Sequence, residues 1–208
     1  MNYKLLPWAA GLAAIVLFST CSGFQVAGKV QSGRFALRGQ RPEAAVALLR
    51  EAATLDPNYV TSFMLSQSVH TYLGRAYYEN RQFVEAQRSL ETALGKNGDD
   101  HVARLYLGLS SIRQGNREQG LRDLENGLRG IDNLIENIRS SNSDYAQFWD
   151  IGGQIRSEIR RILAATSGGK FTEAELSGAE WVGKMFDEEI EKVHEDDLRN
   201  RQRRGRDS

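Results

Sequence analysis

Small residues recur through the middle of this chain at a fixed interval, and that interval limits the fold more than any other feature. Leu73-Gly74 is followed by Ala86, Leu90 and Ala93; thirty-four residues later, Leu107-Gly108 is followed at the same offsets by Gly120, Leu124 and Gly127. A period of this size is one supersecondary unit copied along the chain, and stacked copies bury a face that no single copy can bury alone. Two antiparallel helices approach closely only where small side chains meet at their crossing. Gly74 is therefore expected against Ala86, and Gly108 against Gly120. Ala93 and Gly127 are expected to do the same toward the next unit, with Tyr77, Leu90 and Leu124 filling the space between helices. No stretch alternates apolar and polar residues long enough to suggest a strand.

With this period and these small residues, the chain resembles the tetratricopeptide repeat family. The resemblance implies an all-α solenoid of helical hairpins with about three repeats across residues 24–139, divided near 24–58, 59–98 and 99–139. The first repeat is degenerate: Gly33, Ala45, Leu49, Ala52 and Pro57 stand at the intervals of Gly74, Ala86, Leu90, Ala93 and Gly98. Pro42 suits the first turn of its second helix, where no backbone bond is lost. From Gly33 to Gly74 is forty-one residues, seven more than the period. Seven residues make nearly two helical turns, so the spacing predicts one long helix over 59–79, with Phe63, Met64, Val69 and Leu73 in contact with the core. Arg81-Gln82-Phe83 and Gln114-Gly115-Asn116 are expected to turn the second and third hairpins. Past Gly127 the apolar spacing continues through Leu128, Ile131, Leu134, Ile135 and Ile138, which extends that helix to about Arg139.

Two further helices follow in residues 144–201 without the repeat signature. Phe148, Ile151, Ile155, Ile159 and Ile162 at three- and four-residue spacing predict an amphipathic helix over 145–165. Ser167-Gly168-Gly169 ends it, and Thr172 with Glu175 three residues on forms a capping box for the last helix. That helix carries Leu176, Ala179, Val182, Phe186, Ile190 and Val193 on one stripe, with Trp181 and Met185 flanking it. A solenoid needs an atypical terminal unit over its last apolar face; this pair either does that alone or also offers Trp181 as a docking point. Residues 202–208 form a basic tail, read as a solvated end or as an unspecific patch for acidic head groups or nucleic acid.

The amino terminus, residues 1–20, reads as a secretory signal: Lys4 is followed by an apolar run from Leu5 to Phe18, shorter than the roughly 20 residues a spanning helix needs. The lone cysteine, Cys21, follows at once. Leu17-Phe18-Ser19-Thr20-Cys21 resembles a bacterial lipobox, with Phe18 and Thr20 departing from its usual residues. The resemblance implies lipidation of Cys21 and, from Ser22, sorting to the outer membrane with the chain facing the periplasm. Cleavage with an incidental Cys21, and an uncleaved anchor, are the other two readings.

No catalytic constellation is apparent. Lys plus Arg and Asp plus Glu are each 27, so no basic field points to nucleic acid. His70, His101 and His194 stand far apart, so neither metal nor cofactor is expected. Residues 164–171 lack the first glycine and the hydroxyl of a phosphate loop, and no strand precedes them. No glycine-flanked nucleophile sits on a strand-to-helix turn. The chain reads as a non-enzyme.

In the tetratricopeptide family the first helix of each repeat lines the concave face. That resemblance implies a groove of Thr71, Arg75 and Tyr78, then Leu105, Leu109 and Ile112, with Val30, Arg34 and Leu37 from the first repeat. Such a groove suits an amphipathic helix or an acidic extended peptide; Leu105 and Ile112 could equally be core. The functional expectation is a membrane-anchored adaptor for protein assembly in a bacterial envelope. A solute-binding accessory of a transporter and a non-catalytic subunit of a periplasmic enzyme are the alternatives.

Overall fold

A computed structural model describes residues 8–61, 65–141 and 149–204, with side chains for residues 23–61, 65–141, 149–193, 195 and 199. Among the described residues the fold is all-α apart from one short hairpin. The helices are α1 (Trp8–Arg38), α2 (Pro42–Leu55), α3 (Val69–Glu79), α4 (Phe83–Lys96), α5 (His101–Arg113), α6 (Arg117–Ser140), α7 (Gln154–Ser167) and α8 (Glu173–Arg204). They pack as successive antiparallel hairpins, α1 on α2, α3 on α4 and α5 on α6. No helix among the described residues is long and apolar enough to cross a membrane.

Each hairpin turns in the same way. The Gln82 N–H donates to the Tyr77 carbonyl and the Arg81 N–H to Tyr78, both at 2.9 Å. The same pair of bonds runs from Arg41 to Ala36 and Gln40 to Leu37, and from Asn116 to Ser111 and Gly115 to Ile112. This is the Schellman closure, which needs one residue in the left-handed region. Gln40 (φ 53°), Arg81 (φ 58°) and Gly115 (φ 91°) occupy it, one per hairpin.

The small residues sit where the period predicts. A Cβ added to Gly74 would lie 2.5 Å from Leu90 Cγ and 3.3 Å from the Ala86 carbonyl. One added to Gly108 would lie 2.7 Å from the Gly120 carbonyl and 2.8 Å from Leu124 Cα. Gly127 departs from expectation. It faces Leu105 and His101 of α5 rather than a following unit, because α6 continues antiparallel to α5 along the same hairpin. The length of α6, to Ser140, agrees with the continued apolar spacing.

Two helices begin later than their apolar spacing predicts. The expected helix over 59–79 is instead a two-stranded hairpin, β1 (Val60–Thr61) against β2 (Gln67–Ser68), followed by α3. Val60 and Thr61 are β-branched and favour extended backbone, and Ser68 accepts a hydrogen bond from the Thr71 N–H as the α3 cap. A looped-out insertion, like two helical turns, leaves the buried face of α3 unrotated, so periodicity alone does not separate the two. Val69 and Leu73 reach the core as expected, while Phe63 and Met64 lie outside the described residues.

The helix expected over 145–165 starts only at Gln154. Asp150 (φ 44°) and Gly153 (φ 65°) turn the chain, and the Asp150 carboxylate accepts from the N–H groups of Ile155 and Arg156. Ile151 is consequently exposed on that turn rather than buried in the stripe, and Phe148 lies outside the described residues. At the start of α8 the capping box is present: Glu175 accepts from the Thr172 N–H at 2.8 Å, and Thr172 Oγ1 accepts from the Ala174 N–H.

Candidate functional site

The first helices α1, α3 and α5 form the inner face of the solenoid, and α8 lies along it. Its acidic residues fall on one side at intervals of seven and four: Glu180, Asp187 and Glu191. Each meets a cation of a different inner helix. The Arg113 guanidinium of α5 donates to Glu180 at 2.9 Å, and the Tyr78 hydroxyl of α3 donates to the same carboxylate. Arg75 of α3 reaches Asp187 at 2.9 Å, and Arg34 of α1 pairs with Glu191, with Arg38 3.6 Å away. From Glu180 to Glu191 is about 16 Å of helix, so α8 runs back from the third repeat to the first.

Close approach requires small residues on α8. Gly183 faces the Tyr106 ring, where an added Cβ would stand 2.8–3.0 Å from ring and hydroxyl atoms, and Gly178 faces Glu158 and Arg161 of α7. Between the ion pairs, Val182, Phe186 and Ile190 are buried, with Phe186 tilted against Trp149 at 5.8 Å between ring centres. The electrostatics follow from that burial. The Tyr78 phenol is pushed up by loss of water and then by the Glu180 carboxylate beside it. The Tyr106 phenol is raised too, chiefly by burial. For Arg75, burial opposes the charge, but Tyr106, Asp187 and Glu79 outweigh it and the guanidinium is held more firmly protonated than usual.

The residues that the family resemblance assigns to a ligand groove are thus distributed as follows. Arg34, Arg75 and Tyr78 do come together on the inner face, but their polar atoms are engaged by α8, and Arg75 is 3% exposed. Thr71 is buried, and its hydroxyl donates to Asp100 at 2.6 Å, joining the start of α3 to the cap of α5. Leu105 and Leu109 are fully buried core residues, and Ile112 packs on Gly120 of α6. The side chain of Cys21 lies outside the described residues. Trp181 is half-buried on the flank of α8.

Beside α8 the inner face stays open as a cleft of about 760 Å³. Its walls are the hairpin turns on one side, with Gln40, Arg81 and Phe83, and α8 on the other, with Ser177, Trp181 and Lys184. Seven of its fourteen lining residues are charged. Arg113 is taken up by Glu173 and Glu180, and Arg75 by Glu79 and Asp187. Sequence reasoning placed the main site on the inner helices themselves and offered Trp181 only as an alternative docking point; it did not place α8 along the inner face. The signals were the acidic spacing 180, 187, 191 and two glycines inside an otherwise helical stretch, where glycine is disfavoured unless something approaches closely.

Comparison with known proteins agrees with the repeat geometry. A family model described as "Tetratricopeptide repeat" matches residues 36–109. "ALBINO3-like protein 3, mitochondrial" of Arabidopsis thaliana is 33% identical over 100 residues, covering 43% of this chain. The match spans only 16% of the length of that relative. No solved structure matches the chain. The 34-residue period and the match over residues 36–109 identify tetratricopeptide repeats in that part of the chain, a fold used for protein–protein interaction.

Proposed function

We propose that this protein is a non-catalytic, membrane-tethered adaptor that docks a protein partner in the cleft between α8 and the hairpin turns. The observation that carries the docking site is that α8 already fills the inner face. Arg34, Arg75 and Tyr78 are spent on Glu191, Asp187 and Glu180, while Trp181 remains at the edge of an open cleft. Aromatic residues of this kind anchor interfaces more often than most. The charged lining speaks for a peptide-like partner over a small solute, whose pockets are predominantly apolar. The tether rests on sequence: a signal-like apolar run ends at Cys21, whose lipidation would place the solenoid in the periplasm at the outer membrane of a bacterial envelope. Cleavage before Cys21 would leave the rest of α1 as the first repeat helix.

Two experiments test this reading. A photo-crosslinking amino acid replacing Trp181 in the full chain should give discrete protein adducts in intact cells, whereas the same group at exposed Arg88 of α4 should not. Equal patterns at the two sites would remove the cleft as the docking point. Cys21→Ala should move the protein from the membrane to the soluble fraction. Retention on the membrane with unchanged processing would remove the lipid tether.

A further inference from the structure

We propose that a pocket of about 210 Å³ at the joint of β2, α5, α6 and α8 binds a primary ammonium group carried on a short alkyl chain. It lies just before α3 and at the start of α5, where successive repeats connect, and not along the hairpin turns that border the cleft.

One wall is made of acceptors. Asp99 is exposed, while Asp100 is buried, its two carboxylate oxygens accepting from the Ala103 N–H at 2.9 Å and the Thr71 hydroxyl at 2.6 Å. Those bonds leave lone pairs on both oxygens, and they bring no positive charge. Among the described residues neither carboxylate forms an ion pair, and no lysine or arginine lines the pocket. The cations nearest in sequence are engaged elsewhere: Lys96 donates to Asn58 Oδ1 at 3.0 Å, and Arg104 to the Gly98 carbonyl at 2.9 Å. His101 has its ring against Gly130 of α6. Burial pushes the Asp100 carboxyl up, as it does for an acid short of a counter-charge.

Gln67 is the second and independent pointer. It is 5% exposed and lines the same pocket, and its Oε1 has no hydrogen-bond partner. A buried acceptor left unpaired is costly, and an arriving N–H donor removes that cost. The terminal torsion of glutamine is broad, so the amide can turn its oxygen to such a donor. The backbone beneath it is fixed by pairing with Thr61, whose hydroxyl donates to the Gln67 carbonyl at 3.2 Å. Gln67 belongs to the hairpin inserted beyond the repeat period, so a repeat of ordinary length would not carry this group.

The opposite wall selects the rest of the ligand. Leu65, Val102, Leu134 and Phe186 are apolar, which suits an alkyl chain better than a divalent cation seeking about six oxygen ligands. A cavity of about 150 Å³ accommodates benzene, so about 210 Å³ takes a short alkylammonium. It is too small for a drug-sized solute, whose sites begin near about 300 Å³.

The test uses the full chain, isotope-labelled, with pentylammonium, pentanol and pentanoate as probes of one length and three charges. Pentylammonium should shift the Gln67 side-chain amide and the Val102 and Leu134 methyl signals saturably. It should bind about tenfold tighter than pentanol, the gain of a charge-assisted hydrogen bond, with pentanoate weaker still. Asp99→Asn should weaken pentylammonium about fivefold, the upper range for a solvent-accessible ion pair. Gln67→Leu should weaken it about tenfold. Because that change also removes the unpaired acceptor, its thermal midpoint should hold or rise while binding falls, a combination that damage to the fold would not produce. Nα-acetyl-lysine methylamide separates the sources of the group: binding tighter than pentylammonium assigns a lysine side chain of a partner, and weaker binding assigns a free amine. Equal binding of pentanol and pentylammonium, preference for pentanoate, unchanged affinity in both variants, or saturation by calcium in place of the amine would overturn the proposal. Crosslinking at position 181 is unaffected by any of these results, so the pocket and the cleft stand or fall separately.

Discussion

Removing the Asp187 carboxylate should cost more stability than any surface charge in this protein. Asp187 is 4% exposed and its partner Arg75 is 3% exposed, so neither is rescued by water when the other is lost. Breaking a buried pair by deleting one member costs about 3–5 kcal/mol, because a charge is left stranded. Arg75 keeps one carboxylate, Glu79, whose Oε1 accepts from Nε at 2.8 Å. That places Asp187→Ala near the lower end, about 3 kcal/mol. For a domain of this length the loss corresponds to a fall in Tm of about 6–12 °C. Urea denaturation followed by helical circular dichroism reads the free energy directly. The double variant Arg75→Met, Asp187→Leu should recover most of the loss, since an apolar pair of similar volume often replaces a buried ion pair without penalty. A loss under about 1 kcal/mol, typical of exposed pairs, would mean that α8 does not lie on α3. A double variant as unstable as the sum of its parts would mean that Arg75 and Asp187 do not interact.

Other positions give sharper local tests. Glu175 is held down to about 2 by the Thr172 hydroxyl and N–H and by Arg161. Because its folded value lies below the unfolded one, its contribution is complete above the ordinary carboxylate range and disappears as pH falls from there toward 2; an acid titration of stability should lose that component in Glu175→Gln. Gly108→Ala should destabilise by about 1–3 kcal/mol through overpacking, since its Cβ would meet the backbone of α6. Gly95→Ala in α4, with nothing within 4 Å of its added Cβ, should instead stabilise by about 0.5–1 kcal/mol. Thermal melts of the two variants should therefore move in opposite directions.

Much of the fold was legible because repeat hairpins are local. Gly74 and Ala86, or Gly108 and Gly120, lie twelve residues apart, so their contact leaves a regular trace in the sequence. The turns at Arg81 and Gly115 and the Thr172–Glu175 cap are legible for the same reason. The β1–β2 hairpin was hidden because a looped insertion and two added helical turns leave the same register downstream. The late start of α7 was hidden because Ile151 fits a helical spacing by accident, while the Asp150 and Gly153 turn decides the geometry. The position of α8 was the hardest to see. Tyr78 and Glu180 are 102 residues apart, and an ion pair across that separation leaves no periodicity. Family likeness assigned Arg34, Arg75 and Tyr78 to the inner face, but it could not show that the chain supplies α8 as its own occupant for that face.

That occupancy is the centre of the account, and one nuclear Overhauser measurement tests it most directly. Gly183 stands against the Tyr106 ring, closer than any side chain would allow. A strong cross-peak between the Gly183 α-protons and the Tyr106 ring protons is the expected result, reduced in Asp187→Ala in proportion to the loss of α8 docking. With both residues assigned in the folded full chain, absence of that cross-peak would contradict the placement of α8 in the inner face and, with it, the cleft built on its flank.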